Sequence, residues 1–295
     1  MSQPLLETIN LTKEYGRHRA LDQLNLTIAP GEVFGLLGPN GSGKSTAIRM
    51  LLGMLRPSAG SASIQGFDCW KQSVDVRRLV SYLPGELRLY DNLTGTQLLQ
   101  FLAGLRNQPL SGDMERLSNR FNIDVRRPLS QLSSGMKRKI ALMAVILARV
   151  PLAILDEPTN TLDPTMRDEL LDQILEARDR GQTILFSSHV LDEVEKVCHR
   201  VGILRLGKLV HLQPLDEIQS KRRVAVEFRE LPTQPLPASM TADKNELRWK
   251  LHIQGDLQPA LQWLSQHQVI DLRIEPEGLD NIYQKYHQAE RETVQ

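Results

Sequence analysis

The stretch from Gly38 to Thr46 has the residue types and spacing to bind phosphate. It fits the pattern G-x-x-x-x-G-K-[ST], in which a lysine and a hydroxyl residue follow the second glycine. Glycines tolerate positive φ, so successive backbone N–H groups can point inward around an anion. We expect Lys44 to contact the β- and γ-phosphates of a nucleotide and the Ser45 hydroxyl to bind Mg²⁺. This predicted phosphate loop comprises Gly38, Pro39, Asn40, Gly41, Ser42, Gly43, Lys44, Ser45 and Thr46.

Two acidic residues further along the chain could supply hydrolytic chemistry. Asp156 and Glu157, here called the acid pair, directly follow the apolar run 152–155, which predicts a buried strand. Carboxylates at the carboxyl end of a strand lie where open α/β sheets bind ligands. We expect Asp156 to reach Mg²⁺ through its water shell and Glu157 to orient or deprotonate a water, worth about 10²–10⁴-fold in rate. An ordinary pair of acids after a strand is the alternative.

Local patterns in the sequence predict the strands and helices that must position the phosphate loop and the acid pair. The apolar run 32–37 predicts a buried strand before the loop, and residues 46–52 have helical spacing behind it. Residues 5–28 alternate as short strands and predict an antiparallel ribbon. Thr94 with Gln97 fits a capping box at the start of a later helix. The sequence therefore predicts an α/β fold in which strand, glycine loop and helix follow one another.

A third motif between the phosphate loop and the acid pair is typical of one family. The residues Leu132-Ser133-Ser134-Gly135-Met136 resemble the signature motif of ATP-binding cassette (ABC) ATPases, usually Leu-Ser-Gly-Gly-Gln. The resemblance implies that Ser133, Ser134 and Gly135 contact the phosphates of ATP bound to a second copy of the chain. A plain N-cap role for Ser133 is the alternative that the residues alone allow.

The residues after the signature motif predict a helix with a buried interior. From Ile140 to Leu147 the chain is apolar all round, which is typical of a buried helix. We expect Lys137, Arg138 and Lys139 to lie on its exposed first turns.

Other positions carry the family resemblance one at a time. Tyr15 resembles the aromatic residue that stacks on adenine, with an exposed or core tyrosine as the alternative. His189, which follows an apolar strand and two serines, resembles the switch histidine that contacts the γ-phosphate, and residues 160–164 resemble the D-loop. Gly85 stands where the family has a glutamine that touches Mg²⁺. Glu86 follows it and could act there through a water.

The resemblance also implies a domain organisation. Residues 1–213 would form the ABC ATP-binding domain, a P-loop NTPase fold with a RecA-like core, an antiparallel β subdomain and a helical subdomain at about 86–150. Alternating strands and helices in residues 214–295 predict a small α+β accessory domain, with a Pro/Thr/Ser-rich connection at 232–242. Dimer bracing, partner contact and regulation remain open for this domain.

The function implied is that of an ATPase using ATP and Mg²⁺ in a head-to-tail homodimer that drives a separate membrane permease. The stretch Tyr82-Leu83-Pro84-Gly85-Glu86 resembles ABC exporter ATPases whose membrane subunits are separate polypeptides. We expect a cytoplasmic protein held at the inner face of the cell membrane through its permease. Leu87, Leu89 and Tyr90 could form a groove for a partner helix or pack in the core.

Composition restricts the remaining alternatives. Lys and Arg total 36 against 35 Asp and Glu, a net charge of +1, which argues against direct nucleic-acid binding driven by charge. Cys69 and Cys198 have no metal-binding spacing and suit a reducing compartment. We find no signal-peptide pattern and no apolar run of about 18 residues, so we expect the chain not to span a membrane. A soluble ABC ATPase acting on ribosomes or nucleic acid is the main alternative, and another P-loop enzyme such as a kinase is a weaker one.

Overall fold

The computed structural model divides the chain into two compact units, Met1–Leu212 and Gln213–Gln295. The residues that it describes are 3–107, 113–160, 162–237, 239–276 and 278–288.

Two sheets organise the first unit. Their strands are β1 Leu6–Tyr15, β2 His18–Ile28, β3 Val33–Leu37, β4 Ala59–Ile64, β5 Phe67–Asp68, β6 Val80–Leu83, β7 Leu152–Asp156, β8 Thr183–Ser188, β9 Arg200–Arg205 and β10 Lys208–Pro214. One sheet has the order β2-β1-β4-β5, and the other has the order β10-β9-β3-β8-β7-β6. In the second sheet β9, β3, β8, β7 and β6 pair in parallel. The carboxyl ends of β3, β7 and β8 therefore meet at one edge.

Helices follow these strands and fill the segment between β6 and β7. They are α1 Lys44–Leu51, α2 Ser73–Leu79, α3 Gly95–Leu105, α4 Asp113–Arg120, α5 Ser134–Leu147, α6 Pro164–Asp179 and α7 Leu191–Val197. The predicted capping box at α3 is confirmed: the Gln97 N–H donates to Thr94 Oγ1 at 3.2 Å, and the Thr94 N–H donates to Gln97 Oε1 at 2.9 Å. No helix in the described part of the chain is long and apolar enough to cross a membrane.

One apolar core joins both sheets to α1. Leu11 of the antiparallel sheet, Phe34 and Ile154 of the parallel sheet and Ile48 of α1 all belong to it and are fully buried. The β1–β2 pairing is antiparallel, as the alternation of residues 5–28 predicts. Because α1 shares this core, the loop before it is held at both ends by buried elements.

The second unit is built around an antiparallel sheet. Its elements are α8 Leu215–Gln219, β11 Lys221–Phe228, β12 Met240–Asn245, β13 Arg248–Gln254, α9 Gln258–Ser265, β14 Val269–Pro276 and α10 Leu279–Gln288. The strand order is β12-β13-β11-β14. The prediction that residues 232–242 form a connection is wrong at its end, since β12 begins at Met240. Met240 is buried opposite Ile253, and this apolar contact brings the segment into the sheet.

Aromatic side chains fill the core of the second unit. The Phe228 ring lies 5.4 Å from the Trp249 ring and 6.0 Å from the Trp263 ring, both edge-on. The indole N–H groups donate to backbone carbonyls, that of Trp249 to Glu246 and that of Trp263 to Pro235. The core therefore buries large rings without leaving their polar atoms unpaired.

Candidate functional site

The phosphate loop connects β3 to α1 at the edge where the parallel strands end. Gly41 has φ +80° and Gly43 has φ +107°, a region that favours glycine. A Cβ on Gly43 would lie 2.6 Å from the Ala20 carbonyl oxygen, so the backbone is closely packed there. Any side chain at position 43 would be both strained and obstructed.

Lys44 is buried, only 4% exposed, and its ammonium group lies inside the loop. Nζ donates to the carbonyl oxygens of Gly38 at 2.6 Å and Pro39 at 3.2 Å. It also lies 3.2 Å from Glu157 Oε1. The Ser42 hydroxyl is buried without a hydrogen-bond partner in the described residues, whereas Ser45 is exposed on the first turn of α1. The phosphate loop thus contains one cation, Lys44, and three hydroxyl residues, Ser42, Ser45 and Thr46.

Ser187, at the end of β8, organises the acid pair. It lies opposite Asp156 in the parallel β7–β8 register, and its hydroxyl donates to Asp156 Oδ1 at 2.6 Å. The Glu157 N–H donates to Ser187 O at 3.1 Å and to Ser187 Oγ at 3.0 Å. Glu157 has φ +45°, an uncommon backbone conformation for a residue with a side chain. Ser187 is not among the predicted site residues, although its place at the end of a neighbouring strand was a usable signal.

The Glu157 carboxylate receives partners from three segments. In addition to Lys44, Asn160 Nδ2 donates to Glu157 Oε2 at 2.5 Å, and His189 Nδ1 lies 3.5 Å from that oxygen. Burial acts to raise the pKa of Glu157, but the hydrogen bonds from Asn160 and Lys44 and the charges of Lys44 and His189 outweigh it. The net effect is a lowered pKa, so the carboxylate is ionised at neutral pH and able to accept a proton or a hydrogen bond.

Arg138 is buried, and the prediction that it lies on an exposed turn is wrong. It is 3% exposed, and its guanidinium donates to the carbonyl oxygens of Pro158 at 2.7 Å, Gly85 at 2.9 Å and Glu157 at 2.6 Å. Burial lowers the pKa of Arg138. Its planar fork of donors matches several carbonyls at once, which compensates for removing the charge from water. Lys137 and Lys139 on either side are partly buried.

The signature residues lie at the N-terminus of α5. Ser133 is the N-cap, and its hydroxyl accepts from the Met136 N–H at 3.2 Å. Ser133 and Ser134 are exposed, while a Cβ on Gly135 would lie 3.3 Å from the Met166 side chain. Within the described ranges no hydrogen bond or ion pair joins these three residues to the phosphate loop. The chain brings the loop and the acid pair together but leaves the signature facing outward.

A buried carboxylate connects the turn after the acid pair to the turn before His189. Glu193 Oε2 accepts from Thr159 Oγ1 at 2.8 Å and from Ser188 Oγ at 3.0 Å. Glu193 is 2% exposed, and Arg167 Nε lies 3.3 Å from its other oxygen. Glu193 is not among the predicted site residues. Its bonds set the spacing between two loops that flank Glu157.

The remaining predicted positions are placed as follows. Tyr15 is 50% exposed at the end of β1, which excludes a core role, and Lys13 Nζ lies 5.1 Å from its ring. Gly85 is beside Asp156, since a Cβ on it would lie 3.4 Å from the Asp156 carbonyl oxygen. Glu86 is exposed. In the predicted D-loop, Asp163 caps α6 by accepting from the Met166 N–H, and Thr161 lies outside the described residues.

The groove residues predicted for a partner helix are only partly covered. Tyr90 is exposed, and Leu87 and Leu89 are half-buried. None of the three belongs to the fully buried core of the first unit.

The chemistry of the site suits a magnesium–phosphate complex. In the described part of the chain no group of three or more His, Cys, Asp or Glu side chains could hold a metal ion. Mg²⁺ usually keeps several waters and binds one or two carboxylates together with substrate phosphates. Asp156 and Ser45 fit this binding mode. Asp156 ends β7 at the edge of the sheet where the phosphate loop lies, and Ser45 is part of that loop, on the first turn of α1.

Comparisons with known proteins agree with this architecture. Residues 21–160 match the family model described as ABC transporter. The chain is 33% identical over 228 residues to the bacitracin transport ATP-binding protein BcrA of Bacillus licheniformis, covering 76% of this chain and 74% of that relative. A solved structure of the ATP-binding subunit of an ABC transporter aligns with TM-score 0.67 and 32% identity, over 73% of this chain and 92% of that one.

A longer relative also matches. The probable multidrug ABC transporter ATP-binding protein YbhF of Escherichia coli strain K12 is 34% identical over 224 residues. The match covers 74% of this chain but spans only 39% of that relative's length.

Proposed function

Since the chain belongs to the ABC transporter family of ATP-binding proteins, we propose that it hydrolyses ATP to power a separate membrane permease, with export as the direction. The names of the relatives, a bacitracin transport protein and a probable multidrug transporter protein, favour export of a compound. The permease would hold the chain at the inner face of the cell membrane, in the cytoplasm.

The arrangement of Lys44 and Glu157 carries this proposal. The cation that would bind the β- and γ-phosphates and the carboxylate that would activate water are 3.2 Å apart, at the edge where nucleotides bind α/β sheets. A phosphate at the loop would take over the ion pair that Lys44 now makes with Glu157, together with its bonds to the carbonyl oxygens of Gly38 and Pro39. This would release Glu157 from Lys44 when the substrate is bound and leave it free to contact water.

The other members of the site have separate roles in this proposal. The loop N–H groups and Lys44 bind phosphate, Tyr15 stacks on adenine, and His189 contacts the γ-phosphate. Mg²⁺, held by Ser45 and by Asp156 through water, would neutralise phosphate charge. Asn160 holds the Glu157 carboxylate, and Ser187 holds the backbone of the acid pair.

A second copy of the chain would complete the site. The exposed N-terminus of α5 offers the Ser133 hydroxyl and backbone N–H groups to an anion. Because these groups do not contact the phosphate loop of their own chain, they are available to the ATP bound by a partner copy. ATP would then join the two copies, and hydrolysis would release them. This closing and opening of the dimer would drive the permease between inward-facing and outward-facing states.

The test is the substitution Glu157→Gln. It keeps the shape of the side chain and removes its ability to accept a proton, so hydrolysis should fall by about 10²–10⁴-fold. ATP binding should persist, and sedimentation with ATP should show a trapped dimer. Asp192→Asn, which neutralises an exposed carboxylate three residues after His189, is the matched control and should retain the parent rate. Parent turnover in Glu157→Gln would refute the role of Glu157.

A further inference from the structure

Glu193 is a buried carboxylate to which the proposed function assigns no role. It lies on the first turn of α7 and is 2% exposed. Its Oε1 accepts no hydrogen bond within the described residues, although Arg167 Nε lies 3.3 Å away. Burying a charged group with so few partners costs free energy. Apolar groups of similar size often replace a buried ion pair without loss of stability, so packing alone does not account for a carboxylate here.

The turns that carry Glu157 and His189 begin where strand pairing ends. Asp156 opposite Ser187 is the last pair of the β7–β8 register. Beyond this pair the side chains of Glu157 and His189 approach each other, with His189 Nδ1 3.5 Å from Glu157 Oε2. Contacts between the two turns must therefore fix the distance between these side chains.

The second oxygen of Glu193 joins these two turns. Oε2 accepts from Thr159 Oγ1 at 2.8 Å and from Ser188 Oγ at 3.0 Å. Thr159 lies two residues after Glu157. Ser188 directly precedes His189. Both hydroxyl residues are buried, so water cannot readily replace the carboxylate oxygen as their acceptor. We call these two hydrogen bonds to Oε2 the Glu193 link.

The helix that carries Glu193 is fixed against the sheet. A Cβ on Gly35, in β3, would lie 2.6 Å from the side chain of Val194, so α7 packs directly on the strand that leads into the phosphate loop. One of the linked turns is also bonded to that loop, because the Gly38 N–H donates to Ser188 O at 3.3 Å. The Glu193 carboxylate therefore has a defined position from which it can hold both turns.

We propose that Glu193 is a positioning residue for ATP hydrolysis and that the Glu193 link keeps His189 beside Glu157. Without the link the two turns can separate, and the two side chains no longer reach the same phosphate and water. A displacement of about 1 Å can lower a rate about 100-fold. This role rests on the proposed function, in which Glu157 and His189 act on one ATP.

The substitution Glu193→Met tests the link. Methionine has a similar size but gives the two hydroxyl groups no oxygen acceptor. The variant should fold, because Arg167 is 41% exposed and the Ser188 hydroxyl can turn to the Val190 carbonyl oxygen at 3.4 Å. Well below the melting temperature, kcat for ATP should fall about 10–100-fold while KM stays near that of the parent. A residue that only stabilised the fold would lower the melting temperature and leave kcat unchanged.

Two further variants make the test independent of the folding of Glu193→Met. Glu193→Gln keeps an acceptor oxygen for both hydroxyl groups and should retain more of the parent kcat. Thr159→Val removes one hydroxyl group at the other end of the link and should lower kcat with KM retained. Asp192→Asn neutralises an exposed carboxylate on the same turn of α7 and is the matched control, with the parent kcat. Parent kcat in Thr159→Val, or a Glu193→Gln rate as low as that of Glu193→Met, would overturn the proposal.

A double-variant cycle separates positioning from a general loss of activity. His189→Ala removes the side chain that the link positions, so adding Glu193→Met should lower the residual rate by less than about twofold. Full additivity of the two substitutions would overturn the proposal. A failure of the proposed function is distinct from both results, because the parent would then not hydrolyse ATP or Glu157→Gln would keep the parent rate.

Discussion

Two helices begin with small residues that could face phosphate, and the surroundings of these residues differ. Helix α1 begins at the end of the phosphate loop, and α5 begins within the signature motif. At α1 the backbone is packed so closely that Gly43 has no room for a side chain, and Lys44 is buried among its own loop carbonyls and Glu157. At α5 Ser133 caps the helix with its own hydroxyl and remains exposed.

Under the proposed function, this difference indicates which half of the shared site one chain supplies in finished form. The α1 side already has its cation, Lys44, 3.2 Å from the carboxylate of Glu157. The α5 side presents the Ser133 hydroxyl and backbone N–H groups to solvent. Its link to the acid pair runs through Arg138, one turn further along the helix. A helix terminus alone contributes about 0.3–1 kcal/mol to anion binding, so the α5 side should matter chiefly once the α1 side holds ATP.

The largest effect should come from breaking the α1 side. Lys44→Ala removes charged hydrogen bonds to two phosphates, which are worth about 1.5–3 kcal/mol each, so ATP affinity should fall about 100-fold or more. Isothermal titration with ATP measures this. Lys208→Ala, which removes an exposed lysine of the same unit, should bind like the parent. Unchanged affinity in Lys44→Ala would show that the loop is not the phosphate site.

A second effect should come from placing a charge on the α5 side. Aspartate caps a helix about as well as serine, so Ser133→Asp should keep the thermal stability of the parent. Its carboxylate would oppose the partner's phosphate, so hydrolysis should fall about 10–100-fold while ATP affinity of the single chain stays unchanged. Ser133→Asn, a neutral cap of the same size, separates charge from size and should be impaired less. Equal rates in the two variants would indicate that Ser133 is only a cap.

The smallest effect should come from weakening the contact of Arg138, on α5, with the backbone of Glu157 in the acid pair. Arg138→Lys keeps the charge but cannot reach three carbonyls in the same fork, so hydrolysis should fall about 3–10-fold with ATP affinity retained. The same substitution in a Glu157→Gln background should lower the residual rate little further, because Arg138 acts by positioning Glu157. Full additivity of the two substitutions would argue that Arg138 only stabilises the fold.

Much of the fold was accessible from local patterns. Several elements are each predicted by the residues of their own short stretch of sequence. These are the strands β3, β7 and β8, the helix α1 and the capping box of α3. β12 was missed at Met240 because its start lies in a Pro/Thr/Ser-rich stretch, and pairing with β13 rather than its own pattern makes it a strand. Arg138 was misplaced because charged residues are usually exposed, and only the three carbonyls explain its burial.

The sequence by itself determined the phosphate loop, the acid pair and the order of the motifs, because each depends on neighbours within a few residues. Only the tertiary structure decided that Ser187 would hold Asp156, that Glu193 would join two loops and that Arg138 would hold Glu157. Ser187 and Asp156 are 31 positions apart in the sequence. Glu193 is 34 positions from Thr159, and Arg138 is 19 positions from Glu157. Such contacts arise when parallel strands bring distant loops to one edge, which no local spacing of residues records.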